Sequence, residues 1–305
     1  MPKNSILDIV KECPVCGGRN LQIYKKSTIN LDGFSEEQFK ITDKAYGTTW
    51  DLTQCKNCSY VFANPRPSPA LIDSMYTKIE DPDYEDEASG REKNFKRILS
   101  RLEKSHPEKG VLFDVGAATG ILLNAARERG WRPAGVETSQ WAAKTAAEKY
   151  SLIVQQGNFT SLTSLPNGIT AVTMVDFIEH ISNPFTAVSR AHKILKPGGT
   201  LCVVTPDLNS LAARLAGRNW WHFRPAHLAY FTKKSLLYLL ESSGFQIIKL
   251  KRYSWSFSAY YIFSRKPVFK VFLKNQRMAS FWKKIPVKLA LLDSYEVYAR
   301  KENKA

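Results

Sequence analysis

Between Val111 and Gly120 the chain reads Val-Leu-Phe-Asp-Val-Gly-Ala-Ala-Thr-Gly. An apolar strand runs through an acidic residue into a loop of small residues, which opens a helix at Ile121. Few folds accommodate that order. A strand that feeds a helix through a tight glycine turn is half of a βαβ unit, and a parallel partner strand must follow. Small residues let a ligand approach the backbone, and the helix start offers unpaired N–H groups, so the turn is predicted to be a nucleoside-binding corner. The third glycine of the dinucleotide fingerprint is missing, and a carboxylate, Asp114, precedes the first. That suits a ligand with a cationic amino-acid end better than a pyrophosphate. The next apolar strand ends on Glu137, about twenty residues on, where an acid takes ribose hydroxyls.

The strand–helix alternation continues. Strands are predicted at 111–115, 133–137, 152–155, 171–176 and 200–205, followed by a pair at 245–253 and 294–300. The class is therefore α/β, a Rossmann-like sheet with helices on both faces. Leu195-Lys-Pro-Gly-Gly199 is predicted to stop a helix before the fifth strand. Ligands of such sheets sit beyond the carboxyl ends of the strands. Three further segments fall there. Asn158 and Phe159 follow the third strand. Asp176-Phe-Ile-Glu-His180 ends the fourth, and its Glu179 and His180 read either as functional groups or as caps of the next helix. Asn219-Trp-Trp-His-Phe-Arg-Pro-Ala-His-Leu-Ala-Tyr-Phe231 follows the fifth and is dense in groups that stack on rings or orient hydroxyls.

Asp114, Gly116, Ala118 and Gly120 resemble the Asp-x-Gly-x-Gly-x-Gly motif of class I S-adenosylmethionine-dependent methyltransferases, with alanine at the middle glycine. The resemblance implies a seven-stranded sheet and cofactor contacts from Asp114, Gly116, Ala118, Gly120, Glu137, Asn158, Phe159 and Asp176. It places Asn158 beside the adenine amino group, which an amide carbonyl can accept. The 176–180 segment is similar to the Glu-x-x-Glu-His box of ubiquinone-pathway O-methyltransferases. That likeness offers two roles: His180 as general base, or Asp176, Glu179 and His180 as ligands of Mg2+. A His-Leu-x-Tyr-Phe segment borders the acceptor pocket of related sugar methyltransferases, and His227 and Tyr230 match it. Catalytic candidates are thus His180, His227 and Glu179. Trp220, Trp221, His222, Arg224, Tyr230 and Tyr76 are candidate acceptor walls.

Four of the five cysteines form Cys13-x-x-Cys16 and Cys55-x-x-Cys58. In a reducing compartment, two such knuckles read as a structural four-thiolate Zn2+ site. The sequence after the second, from Ser59 through Asn-Pro-Arg-Pro to a helix with Tyr76, resembles the N-terminal zinc ribbon of some sugar and natural-product methyltransferases. Cys202 lies in an apolar strand and is predicted to be an inert core thiol. The organisation expected is a ribbon at 1–63, a linker stiffened by Pro65, Pro67 and Pro69 with N-terminal helices at 64–110, and the methyltransferase domain at 111–305. An acidic run at 81–87 reads as a solvated loop.

The formal charge is +16, and residues 251–290 hold ten basic residues and no acidic one. With its interleaved aromatics, Phe269 and Phe272 among them, that basic insertion is predicted to be helical. It reads either as a cap on the domain or as a peripheral membrane contact. No apolar run is long enough to span a bilayer and no secretory leader is evident, so a cytoplasmic chain is expected, at the inner membrane face if the insertion binds lipid. The expected activity is methyl transfer from S-adenosylmethionine to a sugar hydroxyl of a nucleotide-linked or lipid-linked glycan or related metabolite. The alternatives are an RNA methyltransferase, with nucleic acid the less favoured partner, and a non-catalytic binding protein that kept the fold.

Overall fold

The computed structural model describes residues 7–29, 36–264 and 275–302. Strands β1 (Leu7–Asp8), β2 (Leu21–Lys25), β3 (Leu52–Cys55), β4 (Val61–Ala63) and β5 (Arg66–Pro67) are short. β2, β3 and β4 pair antiparallel, and β5 folds back onto β1. The proline-rich stretch is therefore built into the fold instead of linking two parts of it. Pro67 sits in a short edge pairing, where its missing N–H does little harm. Pro69 is the first residue of helix α1 (Pro69–Lys78), and the Ser68 side chain caps that helix by accepting the Leu71 N–H. Two helices follow, α2 (Asp83–Asp86) and α3 (Ala88–Ser105). α3 buries Phe95, Ile98, Leu99 and Leu102, the stripe its spacing predicts.

The alternating region comes next: β6 (Val111–Val115), α4 (Ile121–Glu128), β7 (Arg132–Glu137), α5 (Gln140–Tyr150), β8 (Val154–Gln156), β9 (Ile169–Val175), α6 (Pro184–Ile194) and β10 (Leu195–Pro206). β8, β7, β6, β9 and β10 lie side by side and parallel. β6 is buried along its whole length, as a strand with helices on both faces must be. The Lys196–Gly199 turn falls inside β10, where the register shifts between Leu195 and Thr200.

The chain closes with α7 (Leu211–Ala216), β11 (Ala229–Tyr230), α8 (Lys233–Ser242), β12 (Phe245–Arg252), β13 (Trp255–Ser258), α9 (Ala259–Ser264), α10 (Gln276–Lys284), β14 (Pro286–Leu289) and β15 (Ser294–Lys301). β15 inserts antiparallel between β10 and β12, giving the seven-stranded order β12-β15-β10-β9-β6-β7-β8. β11 lies apart from this sheet and pairs with β4, so the chain after β10 supplies the fourth strand of the ribbon sheet.

Two expectations are corrected. The acidic run is not a solvated loop: Asp81, Tyr84 and Glu87 are buried, and α2 forms within it. Asp81 accepts the Thr42 N–H and Glu87 the Ser258 N–H, Glu85 accepts the Thr119 hydroxyl and pairs with Lys149, and Asp83 and Asp86 stay exposed. The basic insertion is only partly helical, since β13 and β14 form an antiparallel ribbon. Asn94 of α3 brackets Ser256, accepting its N–H at 2.8 Å and donating to its carbonyl at 3.0 Å. A Cβ at Gly90 would come within 2.9 Å of the Ser256 carbonyl, so only glycine admits that approach. Phe281 of α10 is 58% exposed. Phe269 and Phe272 lie outside the described residues.

Candidate active site

The small-residue loop folds as its composition requires. Gly116, Ala118 and Gly120 have φ of +74°, +46° and +80°. Glycine reaches these angles freely, whereas alanine does so under strain. The Gly116 and Ala117 N–H groups both donate to the Val136 carbonyl at 3.0 Å. Glu137 braces the turn: one carboxylate oxygen accepts the Ala118 N–H at 2.8 Å and the other accepts the Ser139 N–H at 2.8 Å. Burial raises its pKa, against the pull of these bonds.

Beyond the carboxyl ends of the strands lies a cavity that opens to solvent. Gly116, Ala118, Glu137, Asn158, Phe159, Asp176, His180 and Tyr76, all named from sequence, line it. Sheet order sets their sequence in space: Asn158 follows β8, Glu137 ends β7, Gly116 and Ala118 follow β6, and Asp176 follows β9. Three strand steps of about 4.8 Å place the outer two about 14 Å apart, the reach of an extended nucleoside joined to an amino acid.

Asp114 and Gly120 are placed differently from expectation. Neither is on the cavity wall. Asp114 is buried in β6, where it accepts the Thr173 hydroxyl at 2.6 Å. Burial pushes its pKa up to about 8, with the Thr173 bond opposing. A Cβ at Gly120 would lie 3.0 Å from Ala146 and Leu152, so that glycine serves the packing of α4 on α5. The Asn158 carbonyl is already engaged by the N–H (2.9 Å) and hydroxyl (2.8 Å) of Thr160. Its amide donates to Asp73 at 2.9 Å, and Asp73 itself lines the cavity. The sequence reading missed Asp73, whose carboxylate is the better placed acceptor at that end.

At the β9 end, Asp176 adopts φ +50°. Burial raises its pKa to about 6, and the charges of His222, Arg91 and Arg224 limit the rise. His180 Nδ1 is 3.0 Å from the Ala226 carbonyl and 2.8 Å from the Tyr76 hydroxyl. A carbonyl can only accept, so Nδ1 carries the proton and Nε2 keeps the lone pair. Burial, helped by the Arg224 charge, lowers the His180 pKa to about 3, and the ring is neutral at physiological pH.

Glu179 and His227 stand behind His180, off the wall of the cavity. Glu179 accepts the Thr205 hydroxyl at 2.9 Å through one oxygen, while the other is buried without a partner among the described residues. Burial holds its pKa well above the usual carboxylate range. The His227 ring meets His180 edge-on at 4.7 Å, and its Nδ1 is likewise buried with no partner among the described residues. Atoms of Glu179, His180 and His227 come within 4.8 Å of one another. Asp176 does not join them, so the predicted Mg2+ set of Asp176, Glu179 and His180 is not the one that converges. Asp176 takes φ +50° at the end of β9, whereas Glu179 and His180 sit on the turn closed by the His180 N–H on the Phe177 carbonyl.

The aromatic segment after β10 packs inward instead of forming an acceptor wall. Trp220 is 0% exposed and edges against Phe223, so it has no face left for a ligand. Tyr230 is buried in β11, and half-buried Trp221 lies beside His222. His222 Nε2 is 3.2 Å from Asp293. Arg224 donates to the carbonyls of Lys40 (2.9 Å) and Asp43 (3.1 Å), clamping the ribbon side of the molecule. The wall comes from elsewhere: Phe39, Ile41, Ile72 and Ile79 from before the sheet, Tyr84 and Arg91 from α2 and α3, and Trp255 from the insertion. Only the α1 stripe, with Ile72 and Tyr76, carried a readable signal for this.

The four cysteines of the knuckles meet. Sγ of Cys13 and Cys58 lie 3.6 Å apart and those of Cys16 and Cys55 3.5 Å apart, with all four within 4.8 Å. Tetrahedral Zn2+ with bonds of about 2.3 Å sets sulfurs about 3.8 Å apart, whereas a disulfide needs about 2.05 Å. Both knuckles turn alike, with Gly17 donating to Cys13 and Ser59 to Cys55 at 2.9 Å each. Ser59 takes φ +64°, the angle at which glycine is more usual. Cys202 is fully buried in β10, and burial raises its pKa well above the usual thiol range.

The sheet order, the braced glycine turn and the cavity at the strand ends define a class I S-adenosylmethionine-dependent methyltransferase. The chain belongs to the methyltransferase domain family, which it matches over residues 88–250. The ubiquinone biosynthesis O-methyltransferase of Cereibacter sphaeroides is 26% identical over 173 residues, 50% of this chain and 70% of that protein. The protein of the same name from Dinoroseobacter shibae is 24% identical over 163 residues, 49% of this chain and 66% of that one. In fold, a SAM-dependent methyltransferase from Archaeoglobus fulgidus aligns with a TM-score of 0.51 and 19% identity, over 72% of this chain and 100% of that one. Among the described residues no helix is long and apolar enough to cross a membrane.

Proposed function

We propose that the protein methylates a hydroxyl on a small, ring-bearing, largely apolar acceptor. The observation that carries this reading is the cavity itself. It runs from Asn158 and Glu137 to His180, and its lining beyond the cofactor corner is aromatic and aliphatic: Phe39, Ile72, Tyr76, Phe95, Phe177 and Trp255. Such walls hold a flat ring by stacking and exclude water from the reacting atoms. The curated relatives, named for O-methylation in ubiquinone biosynthesis, support a hydroxyl on a small molecule. A nucleotide-linked or lipid-linked sugar fits less well, because the residues expected to hold it, from Trp220 to Tyr230, pack away from the cavity.

When bound, S-adenosylmethionine supplies a methyl group on a sulfonium sulfur for in-line displacement. Glu137 and Asp73 would hold its nucleoside, and the backbone from Gly116 to Ala118 its amino-acid part. His180 orients the acceptor hydroxyl through Nε2. Its low proton affinity makes it a base only while the hydroxyl proton leaves in the same step as the new bond forms. Tyr76 and the Ala226 carbonyl hold the ring in the required tautomer. The ribbon would hold Zn2+ through Cys13, Cys16, Cys55 and Cys58, closed by four thiolates and so structural.

Labelled S-adenosylmethionine offered with a panel of phenols and catechols, nucleotide sugars, lipid-linked glycans and RNA tests the reading. Label in the phenolic acceptors is expected. Label confined to sugars or RNA, or none in any class while the cofactor binds, would refute it.

A further inference from the structure

We propose that the groove between α3 and the edge strand β12 is a binding site for a small polyphosphate, a short chain of linked phosphate groups. Lys96, Arg97, Ser100, Arg101 and Lys104 line it from α3, on one face of the helix. β15 forms the floor: Arg101 donates to Glu296 at 2.7 and 3.0 Å, and the Tyr298 hydroxyl reaches the Ile98 carbonyl at 3.5 Å. β12 supplies the far wall. Its register shifts between Ile247 and Lys249, so that Lys249 lies opposite Tyr298 and Lys251 opposite Glu296. Ile247 pairs with Ala299 and packs with it in the apolar cluster on the other face. The irregularity therefore turns Lys249 onto the α3 side, next to Lys251.

The cations of this groove outnumber the carboxylates that could answer them. Lys96 pairs with Glu92. Glu296 is wholly buried and already accepts from Arg101 and from the Tyr298 hydroxyl, with Lys251 at 3.9 Å. Arg97 donates to Asn94 at 2.6 Å and to the Ser254 carbonyl, neither of them charged. Lys104 and Lys249 are exposed and pair with no carboxylate among the described residues. Partial burial lowers the Lys251 pKa; Glu296 opposes the fall, and the charges of Arg101, Lys249 and Arg97 add to it. Like charges held this close are relieved when an anion enters between them. Arg97 to Lys104 covers about 10 Å of helix, and Lys249 to Lys251 about 7 Å of strand. That spread exceeds a single phosphate and suits a chain of them, and guanidinium forks with ammonium groups are the donors that phosphate oxygens take. The α3 lining has no aromatic ring on which a nucleic-acid base could stack and no apolar side chain to enter a bilayer. None of these cations lines the strand-end cavity, so the site is separate from methyl transfer.

Calorimetry on the full chain at about 0.1 M salt, where distant charges are screened, tests the site with tripolyphosphate, ATP and orthophosphate. Two double variants remove the same charge: Lys104→Gln with Lys249→Gln in the groove, and Lys284→Gln with Lys288→Gln at exposed positions of α10 and β14. Tripolyphosphate is expected to bind wild type at least tenfold more tightly than orthophosphate. The groove pair should weaken it at least tenfold, and the control pair less than twofold. ATP, read in the same variants, separates the sources: tighter binding than tripolyphosphate assigns a nucleotide, weaker binding a bare polyphosphate. Should the groove pair unfold, Lys249→Gln alone decides against Lys288→Gln, with a threefold loss expected. No binding of tripolyphosphate overturns the proposal, and so does an equal loss in both pairs, which marks a response to net charge alone. An RNA dodecamer or phosphatidylglycerol vesicles bound more tightly than either polyphosphate, with the same dependence on Lys104 and Lys249, would also overturn it and give the groove to a nucleic acid or a bilayer.

Discussion

Ala118 is where the cofactor loop can be tested most directly. It holds φ +46° on the cavity wall, at the position that the resemblance gives to glycine. An alanine there bears about 1 kcal/mol of left-handed strain that glycine would not. Glycine in its turn frees the unfolded chain by about 0.4–1 kcal/mol. The two nearly cancel, so Ala118→Gly should leave stability within about 1 kcal/mol of wild type. The methyl group removed belongs to a residue lining the cavity, and the backbone N–H that braces Glu137 stays in place. Affinity for S-adenosylhomocysteine should therefore rise, by up to about tenfold if the contact relieved is worth about 1.4 kcal/mol. Ala118→Val goes the other way, because a β-branched residue at positive φ is a true outlier and adds two methyl groups to the loop. It should lose about 1–3 kcal/mol of stability and at least tenfold in affinity. Calorimetry gives the affinities and urea unfolding the stabilities. If the glycine variant binds no better and the valine variant no worse, the loop does not hold the cofactor as described.

Three further outcomes are expected. Glu137→Gln can accept through only one of its two terminal atoms, so a buried N–H of Ala118 or Ser139 loses its partner, and about 1–3 kcal/mol of stability should vanish in urea unfolding together with cofactor binding. His180 has a folded pKa of about 3, below the ordinary imidazole value, so as pH falls below about 6.5 the unfolded chain takes a proton that the folded chain refuses. The stability of wild type relative to His180→Gln should then drop with a slope that steepens from about 0.7 kcal/mol per pH unit at pH 6.5 to about 1.4 near pH 5, and equal slopes would show the ring exposed. Cys55→Ser should abolish stoichiometric zinc in elemental analysis and impair turnover more than cofactor binding.

The cofactor end was legible because it is local. Asp114 to Glu137 spans one βαβ unit, and strand, turn and strand-end acid are fixed by neighbours in sequence. Strand periodicity likewise put all seven strands within a few residues of their places, including the late antiparallel pair. The acceptor end was not legible for the opposite reason. Phe39, Asp81, Tyr84, Arg91 and Trp255 meet only through tertiary packing, and even the helical period of α3 does not say what Arg91 faces. The acidic run misled because charge composition says nothing about partners: Lys149 pairs with Glu85, and the Thr42 and Ser258 N–H groups meet Asp81 and Glu87, all from far along the chain. The Trp220–Tyr230 segment misled because aromatics serve a core as readily as a pocket. A fully buried Trp220 is the core case.

The same segment explains why a ribbon is attached to this enzyme. Residues 226–230 face two ways. On one side β11 pairs with β4, and the Ala63 N–H donates to the Leu228 carbonyl at 2.8 Å. On the other, the Leu228 and Ala229 N–H groups both donate to the Glu179 carbonyl, at 2.8 and 3.0 Å, and the Ala226 carbonyl holds His180. β4 follows the second cysteine knuckle by three residues. A path of backbone hydrogen bonds therefore leads from the four thiolates to the tautomer of the histidine at the acceptor end, and Arg224 ties the adjoining ribbon segment to the same loop. The cofactor corner, on β6 and β7, shares an apolar core with the knuckle cysteines, but no such hydrogen-bonded path among the described residues. On the proposed function, the ribbon would buttress the acceptor half of the cavity, and loss of the Zn2+ that its four cysteines would hold should reach turnover before it reaches cofactor affinity.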